Sequence, residues 1–244
     1  MSIPLDITIN NRDTKFQKVL DVFKDSNKKF IVIDGIISAG KTTLIKLIEK
    51  RLNAQGKLKV KAIFEPVDLW NKTGALQYFY EDIPKRCYEF QTYTFITRIN
   101  TIIENIYDCL DADIYILERS IWTDQYIFME LLKDHVGELR MEMYKQWCHT
   151  WAYIMPMRVD TWVFLDTSLE ESLKRIKIRN RSAEGGVDEV YQTQLYNKHV
   201  EFYNKLQEKE NCGKVIKIEN NLMDANFITD EPVLDSIITR IFNV

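Results

Sequence analysis

Residues 35–42 read Gly-Ile-Ile-Ser-Ala-Gly-Lys-Thr, a G-x-x-x-x-G-K-T spacing placed between the apolar run Phe-Ile-Val-Ile-Asp at 30–34 and a helical run that opens at Thr43. Glycine at both ends lets a loop turn tightly enough for successive backbone N–H groups to face phosphate oxygens. A lysine beside the second glycine then reaches the outer phosphates, and the hydroxyl after it suits Mg²⁺. The expected ligand is ATP or another nucleoside triphosphate with Mg²⁺, held by Gly35, Ile36, Ile37, Ser38, Ala39, Gly40, Lys41, Thr42 and Thr43. The bland reading, an incidental glycine turn, sits badly with a strand before the loop and a helix after it.

Two carboxylates stand at the ends of later apolar runs, Glu65 in Phe-Glu-Pro-Val and Glu118 in Leu-Glu-Arg-Ser. Each alone could be an ordinary acid capping a helix. Beside a phosphate loop they suit two jobs: Glu65 as base for a hydroxyl nucleophile, and Glu118, with Thr42, as a partner of the metal. Gln91, Thr94 and Arg98 fall at i, i+3 and i+7 on one helical face. Spacing alone favours the wet side of an amphipathic helix, although a bidentate amide also reads a nucleobase edge. Arg175, Arg179 and Arg181 belong to a dense cationic stretch followed by Gly185-Gly186. They are either a solvated helix end or a lid, over about residues 175–187, that closes on the triphosphate.

The elements that must position these groups are legible from periodicity. Short β-branched and aromatic runs predict strands at 30–34, 60–65, 114–118, 161–166 and 215–219. Helical spacing covers 41–53, 85–110, 123–153 with a break near 135–137, 168–179 and 188–209. Alternation of this kind implies an α/β fold with a five-stranded parallel sheet covered by helices on both faces. With 244 residues, 45% apolar and 28% charged, the chain can bury a large core, and no linker or repeat divides it, so one domain is expected. Eight glycines and five prolines are less than half the usual share, and half of those glycines lie in the phosphate loop and the lid.

A net charge of −3 gives no basic field for nucleic acid, and no apolar run is long enough to cross a membrane. Four scattered cysteines and three scattered histidines suggest neither zinc nor a disulfide framework. The N-terminal thirty residues carry four aspartates and lack a continuous apolar core. That argues against a signal or transit peptide, so a cytoplasmic protein is expected.

Together these residues resemble the deoxynucleoside kinase family. The combination that carries the resemblance is the loop with Ala39 inside it, Glu65-Pro66-Val67 followed by Trp70, Phe90-Gln91-Thr92-Tyr93, Glu118-Arg119-Ser120 with Asp124 and Tyr126-Ile127-Phe128, and the lid arginines. The resemblance implies a P-loop kinase fold and transfer of phosphate from ATP-Mg to the 5′-hydroxyl of a deoxynucleoside, in nucleotide salvage. It implies that Glu65 is the general base and that Arg119 supports the acceptor and the transferring phosphate. Gln91 would bond the base, Tyr80 and Glu184 the sugar 3′-hydroxyl. Leu76, Phe79, Phe90 and Phe128 would wall the pocket, and Phe227 would lie near the adenine of ATP. Family members with an arginine and aspartate at the base end take deoxycytidine or deoxypurines, and this chain has Arg98 and Asp124. An aspartate there offers thymine O4 only a second acceptor. Two departures are Thr94 where alanine is usual and Gln125 where arginine is usual. A homodimer is the family's habit; Trp147, Trp151 and Tyr153 could serve such an interface or could be core. The alternatives are a thymidylate-kinase-like enzyme, against which Phe64 and Val67 replace the arginine and glycines of a phosphate clamp, and a non-catalytic relative, against which the loop, base and metal acid are intact.

Overall fold

A computed structural model describes residues 9–179, 187–220 and 227–242. Five strands, β1 (Lys29–Asp34), β2 (Val60–Ile63), β3 (Ile114–Glu118), β4 (Thr161–Asp166) and β5 (Lys214–Glu219), pair in parallel in the order β2-β3-β1-β4-β5. Strands so rich in Ile, Val, Phe and Leu need cover on both faces. β3 is buried throughout and β1 everywhere past its first residue, whereas β5, at the edge, alternates between buried and exposed positions.

The cover comes from α1 (Ile9–Lys24), α2 (Lys41–Ala54), α3 (Val67–Lys72), α4 (Ala75–Glu81), α5 (Ile83–Tyr107), α6 (Ile121–Thr123), α7 (Glu130–Val136), α8 (Glu138–Ile154), α9 (Leu169–Arg179), α10 (Glu189–Glu208) and α11 (Glu231–Phe242). A π-helical turn, Asp124–Met129, links α6 to α7. The α/β architecture and all five strands agree with the sequence reading. The helical stretch expected over 123–153 does break where expected, at Gly137 (φ 80°) between α7 and α8, but it is further divided by the π-helical turn into four pieces. β2 stops at Ile63, and just beyond it the Val67 amide bonds the Glu65 carbonyl at 2.8 Å in a tight turn around Pro66 that leads the chain out of the sheet. α5 starts where Asp82 caps the Lys85 amide and Pro84 occupies the first turn. Helices α1, α3, α4 and α11 were not expected; α11 nevertheless buries Leu234, Ile237, Ile238 and Ile241 at helical spacing.

Register is what places the chemistry. Ile33 pairs with Glu118 across β1 and β3, and Ile63 with Leu117 across β3 and β2. Asp34 at the end of β1, Arg119 just past β3 and the Phe64-Glu65 pair just past β2 therefore emerge side by side. The connection leaving β1 crosses over β3 to reach β2, while β4 lies on the other flank of β1. Their carboxyl ends form the crevice where an open α/β sheet binds ligands.

Gly35 sits at that crevice with φ 154°, and a Cβ there would stand 2.7 Å from the Leu165 carbonyl oxygen of the neighbouring strand. No flexible side chain can yield at that contact. Gly35→Ala should lower stability by about 2 kcal/mol or more, read as a fall in the thermal unfolding midpoint, with weaker triphosphate binding in whatever remains folded.

Candidate active site

Between β1 and α2 each carbonyl of the loop from Gly35 to Ala39 has a side-chain partner. Gly35 O accepts from Lys41 Nζ at 3.1 Å and Arg119 Nη2 at 3.0 Å, and Ile36 O accepts from Lys41 Nζ at 2.9 Å. Ile37 O accepts from Ser172 Oγ of α9 at 2.7 Å and Gln192 Nε2 of α10 at 3.1 Å. Ser38 O accepts from Arg175 Nη1 at 3.3 Å, and Ala39 O from Thr167 Oγ1 at 3.0 Å and Asn220 Nδ2 at 2.7 Å. Gly40, at φ 97°, is packed so closely by Asn220, Arg175 and Phe227 that a Cβ would meet all three within 3.5 Å. With its carbonyls taken up by these partners, the loop has amide N–H groups to offer phosphate oxygens. Burial and the nearby Arg119 charge lower the Lys41 pKa to about 8.

The acceptor side is a cluster of buried charges. Arg98, from α5, donates from Nε and Nη2 to the two oxygens of Asp124, at 2.7 and 3.0 Å, and from Nη2 to Glu65 Oε1 at 2.8 Å. Its Nη1 bonds the Glu118 carbonyl at 3.1 Å. Arg119 donates from Nη1 to Glu65 Oε2 at 2.9 Å and lays its guanidinium 4.7 Å from the Phe128 ring centre. Burial alone would raise the Glu65 pKa, yet the charges of Arg119, Arg98 and Lys41 bring it down to about 2. Glu118 moves the other way: burial and the Glu65 charge push its carboxyl above the usual value. Its Oε1 accepts from Thr42 Oγ1 at 2.8 Å, so a hydroxyl and a carboxylate meet at the loop's end. Such hard oxygen donors fit Mg²⁺.

Both halves open on one cavity of about 670 Å³. Ile37, Ser38, Ala39, Gly40, Lys41, Thr42, Thr43, Arg175, Arg179 and Phe227 line its donor end. Glu65, Leu76, Phe79, Tyr80, Phe90, Gln91, Thr94, Arg98, Glu118, Arg119, Asp124 and Phe128 line the remainder. Gly35 and Ile36 lie behind the lining, at the loop's root. Arg181 and Glu184 fall outside the described residues, as does most of the expected lid. The polar face of α5 is not a wet face. Gln91, Thr94 and Arg98 are only 2, 3 and 3% exposed, and among the described residues the Gln91 amide makes no side-chain hydrogen bond. The stacked rings of Phe79 and Phe90, 4.5 Å apart, make a flat wall nearby.

Several participants were given no role from sequence. Tyr191 and Asp68 also line the cavity, as do Phe64, Val67 and Trp70, which entered the reading only as parts of a pattern. The partners of the loop carbonyls, Thr167, Ser172, Gln192 and Asn220, follow no spacing rule, because each comes from a different element. Asp34 did carry a signal: it is a strand-end acid, like Glu65 and Glu118.

A parallel sheet feeding a phosphate loop, faced across one cavity by a clamped carboxylate and its arginines, defines a phosphotransferase that uses a nucleoside triphosphate. The sequence pattern described as deoxynucleoside kinase matches residues 31–244, and the chain belongs to that family. It is 29% identical over 221 residues to "Probable deoxycytidine kinase FPV151" of fowlpox virus (strain NVSL), covering 90% of this chain and 88% of that one. It is 28% identical over 213 residues to "Deoxycytidine kinase 2" of Gallus gallus, covering 77% and 75%. "Deoxyadenosine kinase" of Dictyostelium discoideum is 33% identical over 192 residues, covering 77% and 71%.

A carboxyl group whose pKa is depressed stays ionised at every pH above its ordinary value, 4.5 for Glu65, and loses its charge only as pH falls towards 2. The pH profile of kcat/KM should therefore show no acid limb from Glu65 between pH 8 and 5.5. A protonation step near pH 6.5 that Glu65→Gln abolishes would contradict that.

Proposed function

We propose that this protein transfers the γ-phosphate of ATP to the 5′-hydroxyl of deoxycytidine or a purine deoxynucleoside, in preference to thymidine, giving the monophosphate for nucleotide salvage. The observation that carries the reading is the Arg98–Asp124 pair set beside Glu65. A fork of two N–H groups holds both Asp124 oxygens and leaves their remaining lone pairs for a donor. The exocyclic amino groups of cytosine and adenine are donors, and so is the N1–H edge of guanine. Thymine O4 is an acceptor, and acceptor facing buried acceptor is costly. Relatives named for deoxycytidine and deoxyadenosine support the same preference.

In this reading Glu65 takes the proton of the 5′-hydroxyl, and the two arginines that grip it fix its direction. Little proton transfer is needed early, since the transition state is loose and charge spreads onto the phosphoryl oxygens. Lys41 and Arg119 are placed to stabilise that charge, with Arg175, Arg179 and Arg181 closing from the lid. Gln91 bonds the base, Phe79 and Phe90 stack against it with Leu76 and Phe128 alongside, and Tyr80 with Glu184 holds the 3′-hydroxyl. Thr42 and Glu118 would hold Mg²⁺, which when bound offsets phosphate charge. Phe227 packs by Gly40 where the donor's adenine would lie.

The chain works as one domain in the cytoplasm, consistent with four free cysteines, and no helix among the described residues is long and apolar enough to cross a membrane. A homodimer is proposed from α8. Leu139, Met143 and Trp147 share one face, with Leu139 75% and Trp147 52% exposed, and Tyr153 at the helix end is 88% exposed. Trp151 instead packs partly against the core.

Glu65→Gln should lower kcat by about 10²- to 10⁴-fold at saturating substrate; turnover near wild type sinks its role as base. Assayed at equal concentration, the four natural deoxynucleosides should rank thymidine last, and thymidine as the best substrate overturns the Asp124 argument. Trp147→Glu should shift a dimeric mass in light scattering to a monomeric one, and an unchanged mass places the interface elsewhere.

A further inference from the structure

His199 lies on α10, is completely buried, and does not line the cavity. Its Nδ1 is 2.8 Å from the Leu195 carbonyl oxygen and its Nε2 is 3.0 Å from Asp34 Oδ1. Both contacts face acceptors, so both ask for a proton on the ring. The ring stacks on Phe164, with centroids 5.9 Å apart, and meets Phe128 edge-on at 6.4 Å. Phe128 is the same ring that carries the Arg119 guanidinium.

Asp34 is the hub between them. Its Oδ2 accepts from Thr123 Oγ1 at 2.6 Å, and its Oδ1 accepts the Gly35 N–H at 2.8 Å and faces His199. Arg119 Nε stands 3.5 Å from that same Oδ1, and this buried nitrogen makes no hydrogen bond among the described residues. Arg119 therefore feels Asp34 as a charge while spending its hydrogen bonds on Gly35 O and Glu65. Its backbone, at φ 64°, lies in a region side chains seldom adopt, so the side-chain contacts hold it.

We infer that His199 is a positioning residue for phosphoryl transfer, occupying Asp34 so that the Arg119 guanidinium stays turned towards the phosphate loop and Glu65. The inference rests on the kinase reading above. Without His199, Asp34 is a buried carboxylate short of one partner, and the nearest unused donor is Arg119 Nε. A guanidinium drawn in to close 3.5 Å to hydrogen-bond length leaves both the reacting phosphate and the base. From one turn into the same helix, Gln192 also holds Ile37 O. α10 thus grips the loop at its middle and at its root.

His199→Phe keeps the ring stacking and removes both ring nitrogens, while His199→Gln keeps a donor that can reach Asp34. Thr123→Val takes the other side-chain donor from Asp34 without touching the stack. The expectation for His199→Phe is a kcat lower by about 10- to 100-fold, the cost of a small misplacement, with the deoxynucleoside KM within about threefold of wild type. His199→Gln should recover most of that loss. Thr123→Val should lower kcat; it also frees the buried Ser120 N–H, so its unfolding midpoint falls as well, and kcat is read on folded protein well below that midpoint, which keeps the test decisive if His199→Phe does not fold. In the Asp34→Asn background, His199→Phe should add little further loss. The inference is overturned if folded His199→Phe and Thr123→Val both keep kcat within twofold of wild type. It is equally overturned if His199→Gln is no better than His199→Phe and kcat merely tracks the unfolding midpoint. Wild-type turnover of the four deoxynucleosides is run alongside: none would sink the kinase reading itself, whereas normal wild-type turnover isolates a failure to His199.

Discussion

Backbone amides can point together at a phosphate only if the carbonyls between them have somewhere else to go, and in a buried loop water cannot be that place. Here the carbonyls from Gly35 to Ala39 are taken up by side chains arriving from the ends of β3, β4 and β5 and from α2, α9 and α10. Every strand but β2 sends a partner, from its own end or from the helix after it. The loop's shape is therefore not a property of eight residues, and the sheet order matters because it brings those ends around β1.

Charge follows a similar economy. Asp34, Glu65, Glu118 and Asp124 are grouped with Lys41, Arg98 and Arg119, all of them shielded from solvent. Two carboxylates of the cavity are driven apart by their surroundings: the guanidiniums of Arg119 and Arg98 hold Glu65 well down, while burial and the Glu65 charge raise Glu118 in spite of Lys41, Thr42 and Arg119. Environments that separate two like groups are what assign them different work. A divalent cation beside Glu118 would restore its charge, whereas Glu65 needs no further help to stay ionised.

The sheet was legible because apolar runs ending at polar residues are a property of local sequence, and so were Lys41 and Thr42, through the glycine spacing between β1 and α2, and Glu65 and Glu118, at strand ends. The burial of Gln91, Thr94 and Arg98 was not. An i, i+3, i+7 polar face reads the same whether it meets water or a cavity lined by other elements, and only packing distinguishes them. Helix α11 could have been found from Leu234, Ile237, Ile238 and Ile241. The partition of 123–153 could not have been found in full: Gly137 announces a break, but the π turn at Asp124–Met129 follows from tertiary packing. That turn begins with Asp124, and a widened turn there changes which way a side chain of the cavity wall is delivered.

Arg119 shows why donor and acceptor halves cannot be treated separately. One guanidinium bonds Gly35 O at the root of the phosphate loop, Glu65 at the acceptor side, and covers Phe128 in the cavity wall. Its backbone follows β3 directly and is tied to β1 by the bond from its N–H to Ile33 O at 3.0 Å. A shift of the loop therefore moves the residue that aims Glu65, and a shift of Glu65 is felt at the loop. Coupling of that kind needs no long pathway, because the register of β1 against β3 already sets the two halves one residue apart.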